Sequence, residues 1–387
     1  MTNQMTAEQP VWQELAGQPE AVHQLSQAVA HRDNGVHHAW LFTGPPGSGR
    51  SNLAQSFAAA LLCPDQGCGQ CQSCRMVMGG GHPDVSVLAT ERVVISIDEI
   101  RALVATSYVG SSLGKYRVLI IEDADRMAER SSNVLLKALE EPPANTIWIL
   151  CAPSEADLLP TIRSRVRRIA LKVPSVQDVA NLLVTRDGVT PELALQTAAE
   201  SQSHIGMARR LATDAEARAR RKETLVAALN IRGVSSAMFA AERWLDIAKK
   251  DAEALTTERD ALEREAMLRT MGLEPGAAIP AGLRTEVKAL EEAQKRRATR
   301  SLRDGIDRIL VDLLALYRDV LTVQLGAQVP LVNANLNDQI CELAEESTAA
   351  VTLNRLDAIA QTRVRIDSNV RDLMALEALA VVLRRKG

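Results

Sequence analysis

Aromatic residues are scarce in this chain: Phe, Trp and Tyr together make up 3% of its 387 residues. A core with few rings has to be packed mostly from Ala, Leu, Val and Ile, and few side chains remain to stack exposed bases. Net charge is small as well. At −3 it gives no overall basic field, so strong DNA binding by the isolated chain is not implied. Nowhere do 18 apolar residues run together, and the opening "MTNQMTAEQPVWQEL" lacks an apolar signal core; no membrane association and a cytoplasmic location are therefore expected. Repeats with a period of about 20 to 50 residues are also missing. What remains, 46% hydrophobic and 24% charged over 387 residues, fits a soluble globular protein of two or three domains.

Cysteine is sparse but clustered. Cys151 and Cys341 stand alone in apolar contexts, whereas Cys63, Cys68, Cys71 and Cys74 fall together in "CPDQGCGQCQSC". In a cytosolic chain such clustering points to a metal before disulfides. Thiolates spaced C-x4-C-x2-C-x2-C can surround one tetrahedral Zn²⁺ and leave no position for substrate, so a structural zinc site is expected, with free thiols or an iron–sulfur cluster as alternatives. His82 in the nearby "GGGHPD" reads as a hydrogen-bonded turn residue, since four thiolates would already complete the shell.

From about 36 to 171, apolar runs alternate with helical patterns: "HAWLFTG", "VSVL", "YRVLIIED", "TIWILCAP" and "VRRIAL" are separated by stretches such as "SNLAQSFAAALL". This alternation predicts a mainly parallel sheet with helices on both faces. Beyond Val173 the strand signals stop. Short helical patterns run to about 213, and 214–387 is helical throughout. Within it, a charged stretch near 250–300, broken at "EPGAAIPAG" (274–282), reads as a solvated helical hairpin, or alternatively as a basic DNA contact at "KRRATR".

The stretch "LFTGPPGSGRSN" (Leu41–Asn52) has the glycine spacing of a phosphate-binding loop. Gly44, Gly47 and Gly49 let the backbone curl around Ser48 so that N–H groups and a helix N-terminus aim at one anion. Ser51 supplies the hydroxyl that would hold Mg²⁺, but Arg50 stands where G-x-x-x-x-G-K-[ST] asks for lysine. A guanidinium is larger and forked where an ammonium is a compact point charge. The loop could hold ATP or ADP with weakened catalysis, or keep only its shape. At the end of "VLIIEDAD", Glu122 and Asp123 form an acidic pair in reversed order. The shorter Asp123 stands where a longer side chain would polarise water, which argues for slow or absent hydrolysis. In "LLPTIRSRVRRI", Arg165 lies away from this loop and could act on another subunit's ATP as an arginine finger.

Taken in order, the P-loop, the cysteine cluster, "HPD", "IIEDADRM", "LLKALEEPP" (Leu135–Pro143), "LLPTIRSRVRR" and a helical last third resemble the bacterial clamp-loader subunits of DNA polymerase III, which are AAA+ P-loop proteins. The likeness is strong from about residue 11 to 213 and looser beyond. It implies an α/β AAA+ domain with a zinc module near 63–74 (1–171), a small helical lid (172–213) and an all-α collar that mediates oligomer contacts (214–387). That family holds both an ATP-hydrolysing motor and a stator. The motor normally carries a P-loop lysine, an Asp-Glu pair, a threonine sensor and a sensor arginine. Here stand Arg50, Glu122-Asp123, Ser154 as the nearest hydroxyl, and Gly206 or, on a shifted alignment, Arg209. These departures fit the stator, whose finger would be Arg165 in a Ser164-Arg165-Val166 variant of the family's Ser-Arg-Cys motif. Implied partners are the gamma/tau motor subunits, the delta subunit, the sliding clamp and primer–template DNA. No polymerase chemistry is expected of this chain, and weak or no ATPase activity. A working gamma/tau-type ATPase, or another zinc-containing AAA+ protein of recombination or repair, are the alternatives.

Overall fold

The computed structural model describes residues 9–32, 35–271, 280, 284–368 and 370–385. The chain divides into two compact units, Met1–Thr213 and Asp214–Gly387. Each of the five apolar runs in the first unit forms a strand: β1 (Ala39–Thr43), β2 (Val85–Leu88), β3 (Arg117–Ile121), β4 (Thr146–Ala152) and β5 (Arg167–Ala170). They pair in parallel in the order β2-β3-β4-β1-β5. β1, β3 and β4 are buried along their whole length, which is why they read as continuous apolar runs rather than alternating ones.

Successive side chains of each strand feed opposite faces. Trp40, Phe42, Val118, Ile120, Ile147 and Ile149 face α1 (Pro19–Ala30), α2 (Arg50–Leu62) and α3 (Gln72–Met78). Leu41, Leu119, Ile121, Trp148 and Leu150 face α4 (Ile97–Ser107), α5 (Glu129–Glu140) and α6 (Pro160–Arg163). The scarce rings are concentrated inside: Phe57 of α2 meets Trp40 edge-on at 5.1 Å between ring centroids. Truncating such a fully buried ring to Ala costs about 3–5 kcal/mol. Asp84, after α3, fixes the far loop by accepting backbone N–H bonds from Ser112, Leu113 and Gly114. His82 Nδ1 accepts from the Asp84 N–H at 3.1 Å, so His82 is a hydrogen-bonded turn residue. α7 (Val176–Asp187), opened by a Ser175/Asp178 capping box, α8 (Pro191–Glu200) and α9 (Ile205–Thr213) share an apolar core of their own within this unit.

The second unit is helical among its described residues. It comprises α10 (Ala215–Leu229), α11 (Val234–Thr270), α12 (Arg284–Gln324), α13 (Asn337–Glu345), α14 (Ala349–Asp367) and α15 (Asp372–Leu383). Its core gathers Trp244, Leu313, Leu316, Tyr317, Leu376 and Leu383 around the facing parts of α11 and α12. Farther along this helix pair the apolar residues thin out and charge takes over. Arg297 reaches from α12 to Asp260 and Glu263 of α11, and Arg264 pairs with Glu291 at 3.0 Å. Arg297, inside the "KRRATR" run, thus points across the hairpin. The expected break at 274–282 lies, apart from Pro280, outside the described residues. No helix among the described residues is long and apolar enough to cross a membrane.

Candidate functional site

β1 ends at Thr43 and α2 begins at Arg50, so the glycine-rich loop is a strand-to-helix turn with the N-terminus of α2 at its exit. Gly47 sits at φ +80°, and a Cβ there would lie 2.2 Å from the His204 ring. Only glycine fits, on grounds both of conformation and of space. His204 accepts the Met207 N–H on Nδ1 at 3.1 Å, as a capping residue at the start of α9, while the next N–H, of Ile205, donates to Gly47 O at 3.1 Å. From the other side the Gln18 carboxamide bridges Lys172 O (2.7 Å) and the Lys172 N–H (3.1 Å) and reaches Ser48 O at 3.4 Å. The loop is therefore held between the start of α9 and the segment after β5. Neither Gln18 nor His204 stood out as a site residue in the sequence; the only local signal was the position of His204 just ahead of a helix.

Arg50 opens α2 and is nearly buried, its side chain 11% exposed. Its Nη2 lies 3.9 Å from Asp123 Oδ1, and Nη1 is buried without a hydrogen-bond partner. Asp123 itself takes a left-handed backbone (φ +50°), a conformation Asp tolerates better than most residues, and also faces Arg126 Nε at 3.6 Å. The sheet thus brings Arg50 and Asp123 together at the carboxyl ends of β1 and β3, where doubly wound sheets place their ligand crevices. Glu122 and Ser51 are partly buried nearby in the chain. Asp125, two residues beyond Asp123, is half-buried, and that burial pushes its carboxyl up from the usual range.

At its far end α2 runs into the cysteine cluster. Cys63 is its C-cap, and the ligand atoms of Cys63, Cys68, Cys71 and Cys74 all lie within 4.8 Å of one another. Cys63 Sγ is 3.6 Å from Cys68 Sγ and 3.7 Å from Cys71 Sγ. Tetrahedral Zn–S bonds of about 2.3 Å require sulfurs about 3.8 Å apart, so the four residues fit a structural metal ion such as zinc. Backbone N–H groups of Cys68, Cys71 and Cys74 point at the sulfurs of Cys63, Cys68 and Cys71 at 3.3–3.4 Å, favouring thiolates. The Gln70 and Cys71 N–H groups bring Cys68 down to about 7, whereas burial pushes Cys71 and Cys74 up. Gly67, at φ +117° and with no room for a Cβ beside Val11, accepts the Val11 N–H at 3.4 Å and closes the knuckle onto the 3-10 turn Pro10–Trp12. Arg32 then covers the open end of α2, donating to Ala60 O (3.1 Å), Cys63 O (2.6 Å) and Pro64 O (2.8 Å). A cation there also answers the helix dipole.

Arg165 lies just before the edge strand β5. Its Nη2 pairs with Glu140 Oε1 at 2.6 Å, and its Nη1 donates to Thr161 O at 2.7 Å and Ser164 Oγ at 3.0 Å. Ser154 caps a 3-10 turn, accepting the Ala156 N–H at 3.2 Å. Gly206 is the second residue of α9. Arg209, farther along that helix, pairs with Asp187 at 2.9 Å.

A family model described as DNA polymerase III, delta subunit, matches residues 17–175. The DNA polymerase III subunit delta-prime of Pseudomonas aeruginosa is 34% identical over 173 residues, 43% of this chain and 48% of that relative. Its Bacillus subtilis counterpart is 25% identical over 380 residues, 96% of this chain and 98% of the relative. The DNA polymerase III subunit tau/gamma of Haemophilus influenzae is 30% identical over 164 residues, 41% of this chain and 23% of the relative. The chain thus spans less than half the length of the Pseudomonas aeruginosa and Haemophilus influenzae relatives.

Proposed function

We propose that this chain, a DNA polymerase III clamp-loader subunit by its relatives, serves as the delta-prime member, a stator in ATP-dependent loading of the sliding clamp during DNA replication. The observation that carries this reading is the inward turn of Arg50. It faces Asp123 of its own acidic pair, and His204 and Gln18 pack the loop from both sides. Gly44, Gly47, Ser48, Gly49, Arg50, Ser51, Glu122 and Asp123 would form the degenerate nucleotide site. ATP or ADP with Mg²⁺ could bind there through the loop amides and Arg50 Nη1, with little hydrolysis.

Arg165 is the group proposed to act in catalysis, on ATP held by a neighbouring gamma/tau subunit. A guanidinium delivered there offsets the charge that develops on the phosphoryl oxygens in the transition state. Cys63, Cys68, Cys71 and Cys74 would hold zinc, which supplies no reaction step and fixes the end of α2. Residues 172–213 would serve as a lid and 214–387 as the collar that joins the subunits. The delta subunit, the clamp and primer–template DNA complete the proposed partners, with a cytoplasmic site of action. The test is equilibrium binding of Mg-ATP to the purified chain, together with turnover by a loader reconstituted with Arg165→Ala. Weak binding with a large loss of turnover is expected. Tight binding and hydrolysis by the isolated chain would favour the gamma/tau-type reading instead.

A further inference from the structure

Glu140 is the last residue of α5 and is followed by Glu141, Pro142 and Pro143. A carboxylate at a helix C-terminus is disfavoured by the helix dipole, and cations are the stabilising residues there. Its placement therefore gains nothing from the dipole of α5. What it does touch is Arg165, 25 residues on, at 2.6 Å. On the same edge Arg168 pairs with an acidic partner of its own, Glu155, at 2.6 Å.

The contacts of Arg165 divide into two kinds. Nη1 is held by Thr161 O, one of the carbonyls left open at the end of the short α6, and by Ser164 Oγ. These neutral contacts fix where the guanidinium sits without cancelling its charge. Nη2 is held by the Glu140 carboxylate, which does cancel it. Both terminal nitrogens are thus committed within the chain, and a guanidinium that is to donate through Nη2 to a phosphate must first give up Glu140. Both heads are partly solvated, 34% exposed for Arg165 and 48% for Glu140, and such pairs shift an equilibrium only about twofold to fivefold. The pairing is strong enough to hold the head and weak enough to exchange for a more highly charged anion in a drier site.

We infer that Glu140 is a positioning residue that acts as a counter-ion latch: it holds Arg165 neutralised in its own chain, and a neighbouring subunit's nucleotide displaces it when the two subunits close. This inference rests on the trans-finger reading given above. No covalent step is involved; one ion pair is exchanged for another.

The experiment uses the complete loader reconstituted with Glu140→Gln, Arg165→Ala or the double variant, and measures steady-state kcat and KM for ATP. Glu140→Gln, close in shape and without charge, is expected to raise kcat about twofold to fivefold with KM unchanged. The double variant should match Arg165→Ala, a non-additivity that general loosening of the fold would not give. Circular dichroism and melting of the purified Glu140→Gln chain, expected unchanged, guard against misfolding. Loss of turnover in Arg165→Ala with kcat unchanged or lowered in Glu140→Gln overturns the latch and leaves the finger standing. Unchanged turnover in Arg165→Ala overturns the finger and the latch with it.

Discussion

Two arginines of the first unit stand at positions where phosphate chemistry is expected, and they differ in direction. Arg50 lies almost buried at the start of α2 and faces Asp123, just past the carboxyl end of β3, which lies two strands from β1. Arg165 lies beside the edge strand, with its head a third exposed and a solvated carboxylate as partner. An inward guanidinium answers the charge of its own site; an outward one is held only by partly solvated partners that an approaching anion could replace. The difference teaches how the two proposed roles belong together: a subunit whose own arginine is turned inward could still complete a neighbour's site with the outward one.

The sharpest way to break this contrast is to remove each arginine from the reconstituted loader. Arg165→Ala is expected to lower ATP turnover on the order of 10³-fold, the scale of a lost arginine finger. Arg50→Ala in the same assembly should change it by less than about threefold, a ratio corresponding to well under 1.4 kcal/mol. Equal losses would end the comparison. Next in size is the metal. Removal of zinc by chelation, or Cys71→Ser, should lower the melting temperature by on the order of 10 °C, because a structural site contributes folding free energy directly. Scanning calorimetry alongside zinc analysis checks this. A chain that melts unchanged without metal would mean that Arg32 and the packing of Val11 hold the end of α2 unaided.

A smaller effect is expected from Arg50→Lys, which restores a compact cation beneath the loop. Mg-ATP affinity should rise by up to about tenfold, or about 1.4 kcal/mol, in a titration of the purified chain. No gain would mean that His204 and Gln18, and not the residue at position 50, limit entry. The smallest effect concerns the scaffold that both arginines share. Burial alone would raise the Asp84 carboxyl, but the Ser112, Leu113 and Gly114 N–H groups outweigh it and hold it below the usual range. Its stabilising contribution is therefore complete above the unfolded value of about 4 and is lost as pH falls through the lower folded value. Asp84→Asn should melt lower at neutral pH and show a flatter decline as pH falls below about 4, followed by thermal melts over a series of acidic buffers.

Much of the first unit was legible in the sequence because its signals are local. Short, β-branched apolar runs such as "VLII" and "IWIL", alternating with helical patterns, read as buried parallel strands, and four cysteines within "CPDQGCGQCQSC" announce their own proximity. The partners of the site residues were not legible. Arg50 meets Asp123, Gly47 meets His204 and Arg165 meets Glu140 only once the strand order β2-β3-β4-β1-β5 and the packing of α9 are known. The "KRRATR" run shows the same limit. As a string it is basic, yet in the folded hairpin Arg297 is committed to Asp260 and Glu263, and Arg300 faces Asp304 at 3.6 Å. Charge along a helix gives no direction until its neighbour is in place.

The open edge of the sheet at β5 sets the manner in which anything can meet it. Ile169 is buried, while Arg167, Arg168 and Ala170 are exposed. An unpaired strand ordinarily invites another strand to add to it, and charged side chains are the usual deterrent. Two such edges brought together would set arginine against arginine. Strand exchange and fibre-like stacking are thereby discouraged along this border, even though Arg168 is paired with Glu155 and Arg167 lies over the Trp40 ring.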